Sequence, residues 1–173
     1  MSDHSDVCVI VPAYNEAECL PPLLNELKTV GFLAKQIVVI DDASQDETPA
    51  ICRAMGIAVV SLPINLGIGG AVQTGFMYAI RRGFSYAVQV DGDGQHPANE
   101  VLKLVEEAKK TPVDLLIGSR FLISNGHYRS TWVRRLGKHV LSLTGLLVTG
   151  RRLSDPTSGL RVASARLVAE FAK

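Results

Sequence analysis

The ten residues VCVIVPAYNE at positions 7–16 decide the fold. Their first half, Val7–Val11, is continuously apolar and rich in β-branched side chains, which is typical of a strand buried on both faces of a sheet. An amphipathic helix is predicted directly afterwards, from Asn15 or Glu16 to about Val30, because leucines recur there at helical spacing. This strand and helix begin a regular alternation.

The alternation of strand and helix continues along the chain as far as Arg120. Short, wholly apolar strands in this rhythm predict an α/β fold, with a mostly parallel central sheet and helices on both of its faces. The further strands are predicted at 36–40, 58–62, 86–90 and 114–118, and the further helices at 71–82, at 97–110 and from Ser44 or Asp46 to about Met55.

The pattern changes beyond Arg120. Ser164 is predicted to cap a final helix, which reaches Lys173 without a stop signal, so we expect the natural protein to continue further. The whole of 1–173 is predicted to form one domain. Between Arg120 and Ser164 we expect a loop at 122–129, an apolar helix at 132–148 and a turn at Asp155–Gly159.

The composition excludes several classes of protein. With 47% hydrophobic and 20% charged residues, the chain can bury enough apolar surface to fold, which excludes disorder as its main state. It has three cysteines without CxxC spacing, which predicts reduced, mostly buried thiols in a cytosolic setting. The first residues are polar and acidic, unlike a signal peptide, and no apolar run reaches the length of about 18 residues that spans a membrane.

The charge is distributed unevenly. Residues 1–119 carry 8 Lys and Arg against 15 acidic residues, a net charge of −7. Residues 120–173 carry 10 Lys and Arg against two acidic residues, a net charge of +8. This asymmetry indicates a basic surface that faces an anionic partner, or else a solvated face. Few aromatic residues lie among the basic ones, which disfavours a nucleic-acid platform.

Polar side chains follow the predicted strands where each strand ends. Ligands of open parallel sheets bind at the carboxyl ends of the strands, so these side chains form the candidate site. Asp91 and Asp93 are the sharpest pair, because a DxD flanked by glycines offers two hard oxygen ligands for Mg²⁺ or Mn²⁺ held jointly with a diphosphate. Gln95 can add a neutral oxygen, whereas His96 is interpreted as a neighbour of the site.

Asp41 and Asp42 are adjacent, so they cannot both point the same way. One can accept hydrogen bonds from a nucleobase or ribose, while the other caps or orients its loop. Asp46 is equally well explained as an acid at a helix N-terminus. The glycine-rich stretch at 65–70 can approach a ligand, but it is not a GxGxxG fingerprint. The sequence has no P-loop, zinc spacing or GxSxG elbow.

Six motifs together resemble the family-2 glycosyltransferases of the GT-A fold, a Rossmann-like architecture. Within that family the chain is most similar to the dolichol- or polyprenyl-phosphate sugar transferases. The resemblance runs from Val7 to Val162, in the expected order. The motifs are PAYNE at 12–16, DDASQDET at 41–48, NLGIGGA at 65–71, DGDGQHP at 91–97, GSRF at 118–121 and DPTSGLRV at 155–162.

The resemblance implies a role for individual residues. It divides the chain into a nucleotide-sugar part at 1–120 and an acceptor part at 121–173. It implies a donor pocket formed by Pro12, Ala13, Tyr14, Glu16 and Asp41, supported by Asp42 and Asp46, with Gly70 and Asp91 near the donor. It implies that Asp91, Asp93 and Gln95 hold Mg²⁺ or Mn²⁺. The implied catalytic residues are Asp93, Arg120 as a phosphate contact, and Asp155 near the position of a catalytic base.

The chemistry of the acceptor favours a lipid phosphate. A sugar hydroxyl needs a general base, whereas a phosphate monoester is already an anion and needs positive charge to hold it. The apolar run Leu141–Val148 either lies on a membrane or belongs to the core. The candidates for holding the acceptor phosphate are Arg129, Arg134, Arg135 and Lys138, and Arg151 and Arg152 add to the same basic region.

We therefore predict a cytoplasmic enzyme, peripheral on the inner face of the membrane. It would transfer a hexose from a UDP- or GDP-linked donor to a polyprenyl phosphate, with inversion at the anomeric carbon. We expect no nucleic-acid partner, and homo-oligomerisation is left open. The main alternative is a hydroxyl acceptor in polysaccharide synthesis, for which Asp155 would be an indispensable base. Three further alternatives are a nucleotidyltransferase, a receiver module and an inactive binding module. The glycine-rich basic signature of a nucleotidyltransferase is missing, and the DxD motif is not expected in a receiver module.

Overall fold

A computed structural model of the chain describes residues 4–94, 96–118 and 159–172. Within these ranges strands and helices alternate along the chain, as the apolar runs predict. The strands are β1 (Val7–Ala13), β2 (Ile37–Asp41), β3 (Ala58–Ser61), β4 (Tyr86–Gln89), β5 (Leu115–Ile117) and β6 (Arg161–Ser164). The helices are α1 (Leu20–Thr29), α2 (Thr48–Ala54), α3 (Gly67–Arg81), α4 (Ala98–Lys110) and α5 (Ala165–Phe171), and a 3₁₀ turn at Ala34–Gln36 precedes β2.

The strands form one mixed sheet in the order β3-β2-β1-β4-β6-β5. The first four strands in this order are parallel to one another, which confirms the α/β class and the mostly parallel sheet. Strand β6 was not predicted. It lies antiparallel to both β4 and β5 and separates them. Its four residues begin with Arg161, so they form neither a long apolar run nor a clear alternation.

Three helix starts differ from the prediction. Helix α2 begins at Thr48, with Glu47 at its N-cap rather than Ser44 or Asp46. Helix α1 begins at Leu20 rather than at Asn15 or Glu16, because the backbone N–H groups of residues 15–17 bond to side chains of the β2–α2 loop. Helix α3 begins at Gly67 rather than Ala71. Ser164 caps α5 as predicted, since its Oγ accepts a hydrogen bond from the N–H of Leu167. The predicted loop at 122–129 and helix at 132–148 lie outside the described residues.

Apolar side chains cover both faces of the sheet. Alternate residues of β1 point to opposite sides, so that Val9 packs with α1 and α4, while Ile10 packs with α3 and α5. Each fully buried side chain of this kind contributes about 1.5–3 kcal/mol relative to an exposed one. The seven residues of β1 are all buried, as a central strand covered on both faces requires.

Two of the three cysteines, Cys8 and Cys52, are buried, as expected from the composition. Burial raises the pKa of the Cys8 thiol to about 12 and that of Cys52 to about 11, so both stay protonated and unreactive at neutral pH. Cys19 is exposed, and all three cysteines are free. Among the helices in the described part of the chain, none is both long and apolar enough to cross a bilayer.

Candidate active site

The carboxyl ends of β1, β2 and β4 meet at one edge of the sheet. Ala13 lies level with Asp41 in the parallel ladder, and the N–H of Asp42 donates to the carbonyl of Ala13 at 2.9 Å. On the other side of β1, the N–H of Val90 donates to the carbonyl of Ile10 at 3.0 Å. The residues that follow the three strands are therefore brought together at one edge, as expected for a parallel sheet.

Asp41 and Asp42 are both buried and both hold loops. Asp41 is 3% exposed, and its Oδ1 accepts a hydrogen bond from the N–H of Ser44 at 2.9 Å. Asp42 is 4% exposed, and its Oδ1 accepts from the N–H of Leu66 at 2.7 Å. Asp42 thus ties the end of β2 to the loop that enters α3. Ala43, which follows the two aspartates, has a left-handed backbone with φ of 62°.

The loop after β1 is fastened to the loop after β2 by backbone-to-side-chain hydrogen bonds. The N–H of Asn15 donates to Ser44 Oγ at 3.0 Å, and Asn15 Oδ1 accepts from the N–H of Gln45 at 2.8 Å. The N–H of Glu16 donates to Thr48 Oγ1 at 2.9 Å. These contacts fix the positions of Tyr14 and Glu16. Of these anchors, Ser44 and Thr48 were not among the predicted site residues.

Asp46 contributes to the same fastening and does not line the cavity described below. It accepts hydrogen bonds from the N–H groups of Ala17 and Thr48. Desolvation opposes its charged form, but the hydrogen bonds from Thr48 and Ala17 outweigh it and lower the pKa of Asp46 below its ordinary value. The charged form of Asp46 therefore stabilises the loops fully at pH values above the ordinary pKa of a carboxyl group. This stabilisation is lost as the pH falls through the lowered pKa of Asp46.

The three strand ends enclose a cavity of about 220 Å³, which we call the donor cavity after the ligand that the family resemblance implies. Seven of the predicted site residues line it, and Ile68, Ala71 and Gly92 complete the lining. Asp41 lies outside the lining, as does Gly70, where an added Cβ would approach Leu66 Cβ to 2.5 Å. The seven predicted residues are Pro12, Ala13, Tyr14, Glu16, Asp42, Asp91 and Asp93.

Two glycines hold the DxD turn against its neighbours. A Cβ at Gly92 would lie 3.0 Å from the carbonyl oxygen of Pro12, so the glycine allows the turn to pack on the end of β1. A Cβ at Gly159 would overlap the carboxylate of Asp91. Gly159 therefore gives Asp91 the space it occupies beside the backbone that leads into β6. The SGLRV motif contains this glycine, but sequence reasoning did not connect it with Asp91.

The charge of the donor cavity indicates what it can hold. Its lining carries four carboxylates, those of Glu16, Asp42, Asp91 and Asp93, and no basic side chain among the described residues. Such a cavity repels a bare diphosphate and attracts a cation. Mg²⁺ and Mn²⁺ prefer hard oxygen ligands, and Mg²⁺ usually takes one or two carboxylates and shares the remaining positions with water and phosphate. The donor set of the DxD turn fits such an ion.

The described residues do not form a complete metal cage. Within 4–94, 96–118 and 159–172, no three His, Cys, Asp or Glu side chains converge on one point. Gln95, the third predicted metal ligand, lies outside the described residues. So do the other predicted catalytic and acceptor residues, Arg120, Asp155, Arg129, Arg134, Arg135 and Lys138.

Two curated relatives match most of the chain. An uncharacterised protein of Methanocaldococcus jannaschii is 35% identical over 92% of this chain and 65% of its own length. The undecaprenyl-phosphate mannosyltransferase of Micrococcus luteus is 32% identical over 92% of this chain and 66% of its own length. The chain thus spans just under two thirds of the length of these relatives.

A solved structure shares the fold. The glucosyl-3-phosphoglycerate synthase of Mycobacterium tuberculosis, in complex with Mn²⁺ and UDP-glucose, superposes with a TM-score of 0.70. The match covers 93% of this chain and 56% of the synthase, at 22% identity, which demonstrates a common fold. The sequence model described as glycosyl transferase family 2 matches residues 8–170. On the strength of this match across nearly its whole length, the chain belongs to glycosyl transferase family 2.

Proposed function

We propose that the protein transfers a hexose from a UDP- or GDP-linked donor to a polyprenyl phosphate, with inversion at the sugar carbon. The observation that carries the proposal is the donor cavity, in which both carboxylates of the DxD turn face the loop after β1. The mannosyltransferase relative, named for an undecaprenyl-phosphate acceptor, supports the choice of acceptor.

The donor would lie across the strand ends. Ser44 and Thr48 hold the backbone of Asn15 and Glu16 in the loop that also carries Tyr14. Tyr14 and Glu16 would therefore offer a preformed wall for the nucleotide. Asp91 and Asp93 would hold Mg²⁺ or Mn²⁺, which supplies positive charge to the diphosphate leaving group. Asp41 and Asp46 lie outside the cavity lining and would support the pocket by fixing its loops. Asp42 lines the cavity and also holds the loop that enters α3.

The acceptor needs no proton removed. Its phosphate oxygen attacks the anomeric carbon from the face opposite the leaving group, the bond from that carbon to the diphosphate oxygen breaks, and a sugar phosphodiester forms. Arg120 and the basic residues 129–138 are proposed to hold the anionic groups. A polyprenyl chain lies in a bilayer, so we propose that the enzyme works at a membrane surface.

Calorimetric titration with UDP and GDP tests the donor half of the proposal. We expect one nucleotide to bind in the presence of Mn²⁺, and binding to be lost with EDTA and in Asp93→Ala. Glu26→Ala, an exposed carboxylate on α1 outside the cavity, is the matched control and should bind normally. Binding that is insensitive to EDTA and to Asp93→Ala would contradict the metal assignment.

Transfer of labelled sugar into a lipid fraction tests the acceptor half. For a phosphate acceptor, Asp155→Asn should lower kcat by less than about tenfold, because no general base is needed. For a hydroxyl acceptor, loss of the base should cost about 10²- to 10⁴-fold. A loss of the latter size, together with sugar transfer to a soluble hydroxyl compound, would reject the lipid-phosphate proposal.

A further inference from the structure

A second, larger depression adjoins the donor cavity on the α3 and α5 side of the sheet. This groove has a volume of about 590 Å³. It shares Ile68 and Asp91 with the donor cavity, so the two spaces lie side by side. It runs from Asp91 and Gly159 between α3 and α5, and it ends against β5.

The floor of the groove carries a charged side chain, that of Arg161. Arg161 pairs directly with Gln89 of β4 and with Ile117 of β5. Directly paired residues lie on the same face, and Ala163, two residues further along β6, packs with the α3 and α5 core. Arg161 therefore faces the groove rather than the α1 and α4 side. Both Arg161 and Gln89 line it.

The walls of the groove are apolar. Phe76 of α3 and Phe171 of α5 stack with their ring centroids 5.9 Å apart and their planes at 22°. Phe171 is 51% exposed and Leu115 is 42% exposed, although both are large apolar side chains. Val72 adds a further apolar surface between them. One end of the groove thus suits an anion, and the rest suits a hydrocarbon chain.

We propose that this groove seats the acceptor, with Arg161 binding its phosphate and with Val72, Phe76, Phe171 and Leu115 contacting the first units of its apolar chain. This inference rests on the proposed function and names a binding residue beyond those predicted from the sequence. Charge complementarity carries it, because a guanidinium matches a phosphate monoester in two-point geometry, whereas an alcohol offers it no charge.

The position of Asp91 explains why both substrates would meet here. Its carboxylate lies at the junction of the groove and the donor cavity, next to Gly159. An acceptor phosphate bound by Arg161 would therefore lie next to the donor diphosphate. The same carboxylate repels the acceptor phosphate when its charge is not compensated. Acceptor binding is therefore best measured with Mn²⁺ and the nucleotide present.

Calorimetry with farnesyl phosphate, kept below the concentration at which it forms micelles, tests the proposal. The comparison ligands are farnesol and inorganic phosphate, which separate the chain from the charge. We expect farnesyl phosphate to bind more tightly than either. Arg161→Gln should weaken it about 10- to 100-fold, and Arg161→Lys should lie in between. Phe171→Ala should weaken farnesyl phosphate but leave inorganic phosphate unchanged.

Two matched variants control for non-specific effects. Arg81→Gln removes an exposed arginine at the far end of α3, and Ile80→Ala removes an exposed apolar side chain beside it. Both should bind farnesyl phosphate like the unmodified protein. Thermal denaturation of Arg161→Gln and Arg161→Lys tells unfolding apart from lost binding.

The outcomes separate this inference from the proposed function. Unchanged farnesyl phosphate binding by folded Arg161→Gln, or an equal loss for farnesol, would overturn the assignment of Arg161. A second result would be nucleotide binding that is insensitive to EDTA and to Asp93→Ala while the affinity for farnesyl phosphate still depends on Arg161. That result would support the groove assignment and contradict the proposed function. If the nucleotide binds as expected and farnesyl phosphate does not bind at all, the groove assignment falls alone.

Discussion

At the scale of single residues, the position of Asp91 depends on the missing side chain of Gly159. We expect Gly159→Ala to push the Asp91 carboxylate out of place, because the added methyl group would overlap it. Displacing a metal ligand or its support typically costs about 10- to 100-fold in metal affinity. Nucleotide affinity in the presence of Mn²⁺, measured by calorimetry, should fall by a similar factor.

Gly118→Ala is the control for this substitution. Its Cβ would lie 2.9 Å from Leu160 Cδ2, at the same edge of the sheet, but would meet a leucine side chain rather than Asp91. It should lower the melting temperature without changing nucleotide affinity. If Gly118→Ala weakened nucleotide binding as much as Gly159→Ala does, the effect would belong to the packing of this edge and not to Asp91.

The sequence predicts those site residues that directly follow a strand. Pro12, Tyr14, Asp91 and Asp93 are of this kind, since the carboxyl ends of parallel strands share one edge. The contact of Gly159 with Asp91 was not predicted, because it depends on the placement of β6, a strand with no clear pattern of its own. Residue spacing holds no information about such a contact.

At the scale of elements, α3 lies close against β1 because Gly75 faces Ile10. A Cβ at Gly75 would overlap the side chain of Ile10, so Gly75→Ala forces the helix and the central strand apart. Overpacking of this kind costs about 1–3 kcal/mol of unfolding free energy. For a chain of 173 residues, each kcal/mol lowers the melting temperature by about 2–4 °C.

Gly69→Ala, in the same helix, should have the opposite sign. A Cβ there meets nothing within 4 Å, and alanine favours a helix over glycine by about 0.5–1 kcal/mol. Thermal or urea unfolding of the two variants makes the comparison. A Gly75→Ala variant as stable as Gly69→Ala would mean that the helix can move away from Ile10 without cost.

The elements also show where local pattern reaches its limit. Strands β1, β2 and β4 are predicted from apolar runs because covered parallel strands need apolar side chains on both faces. The start of α1 is not predicted, since the bonds from Asn15, Glu16 and Ala17 reach side chains 29 to 32 residues further along the chain. A helix start that depends on such partners leaves no signal in the local sequence.

At the scale of the whole molecule, the charge is divided between an acidic and a basic part of the chain. The donor cavity belongs to residues 1–119, with a net charge of −7, apart from the neighbouring Gly159. Residues 120–173 carry +8. A membrane-bound phosphate acceptor and an anionic bilayer both attract the basic part and repel the acidic one. We therefore expect the molecule to orient itself on such a surface.

Two Arg-Arg pairs make this orientation testable. Arg134 and Arg135 belong to the basic part, whereas Arg81 and Arg82 belong to the acidic part, at the end of α3 away from the donor cavity. Each basic residue near an anionic bilayer contributes about 1 kcal/mol. Replacing Arg134 and Arg135 by Gln should therefore weaken binding to phosphatidylserine vesicles about 30-fold, as measured by co-sedimentation.

The same double substitution at Arg81 and Arg82 should leave vesicle binding within about threefold, because those arginines belong to the part of the chain whose net charge is −7. Binding of the protein to phosphatidylserine vesicles should also decline steeply with salt, because the Debye length falls from about 10 Å at 0.1 M to about 3 Å at 1 M. Neutral vesicles should bind the protein weakly. An equal loss from both pairs would mean that net charge alone drives adsorption, and salt-insensitive binding to neutral vesicles would mean that charge does not drive it at all. Only a loss confined to Arg134 and Arg135 supports an enzyme that meets its lipid acceptor through its basic part.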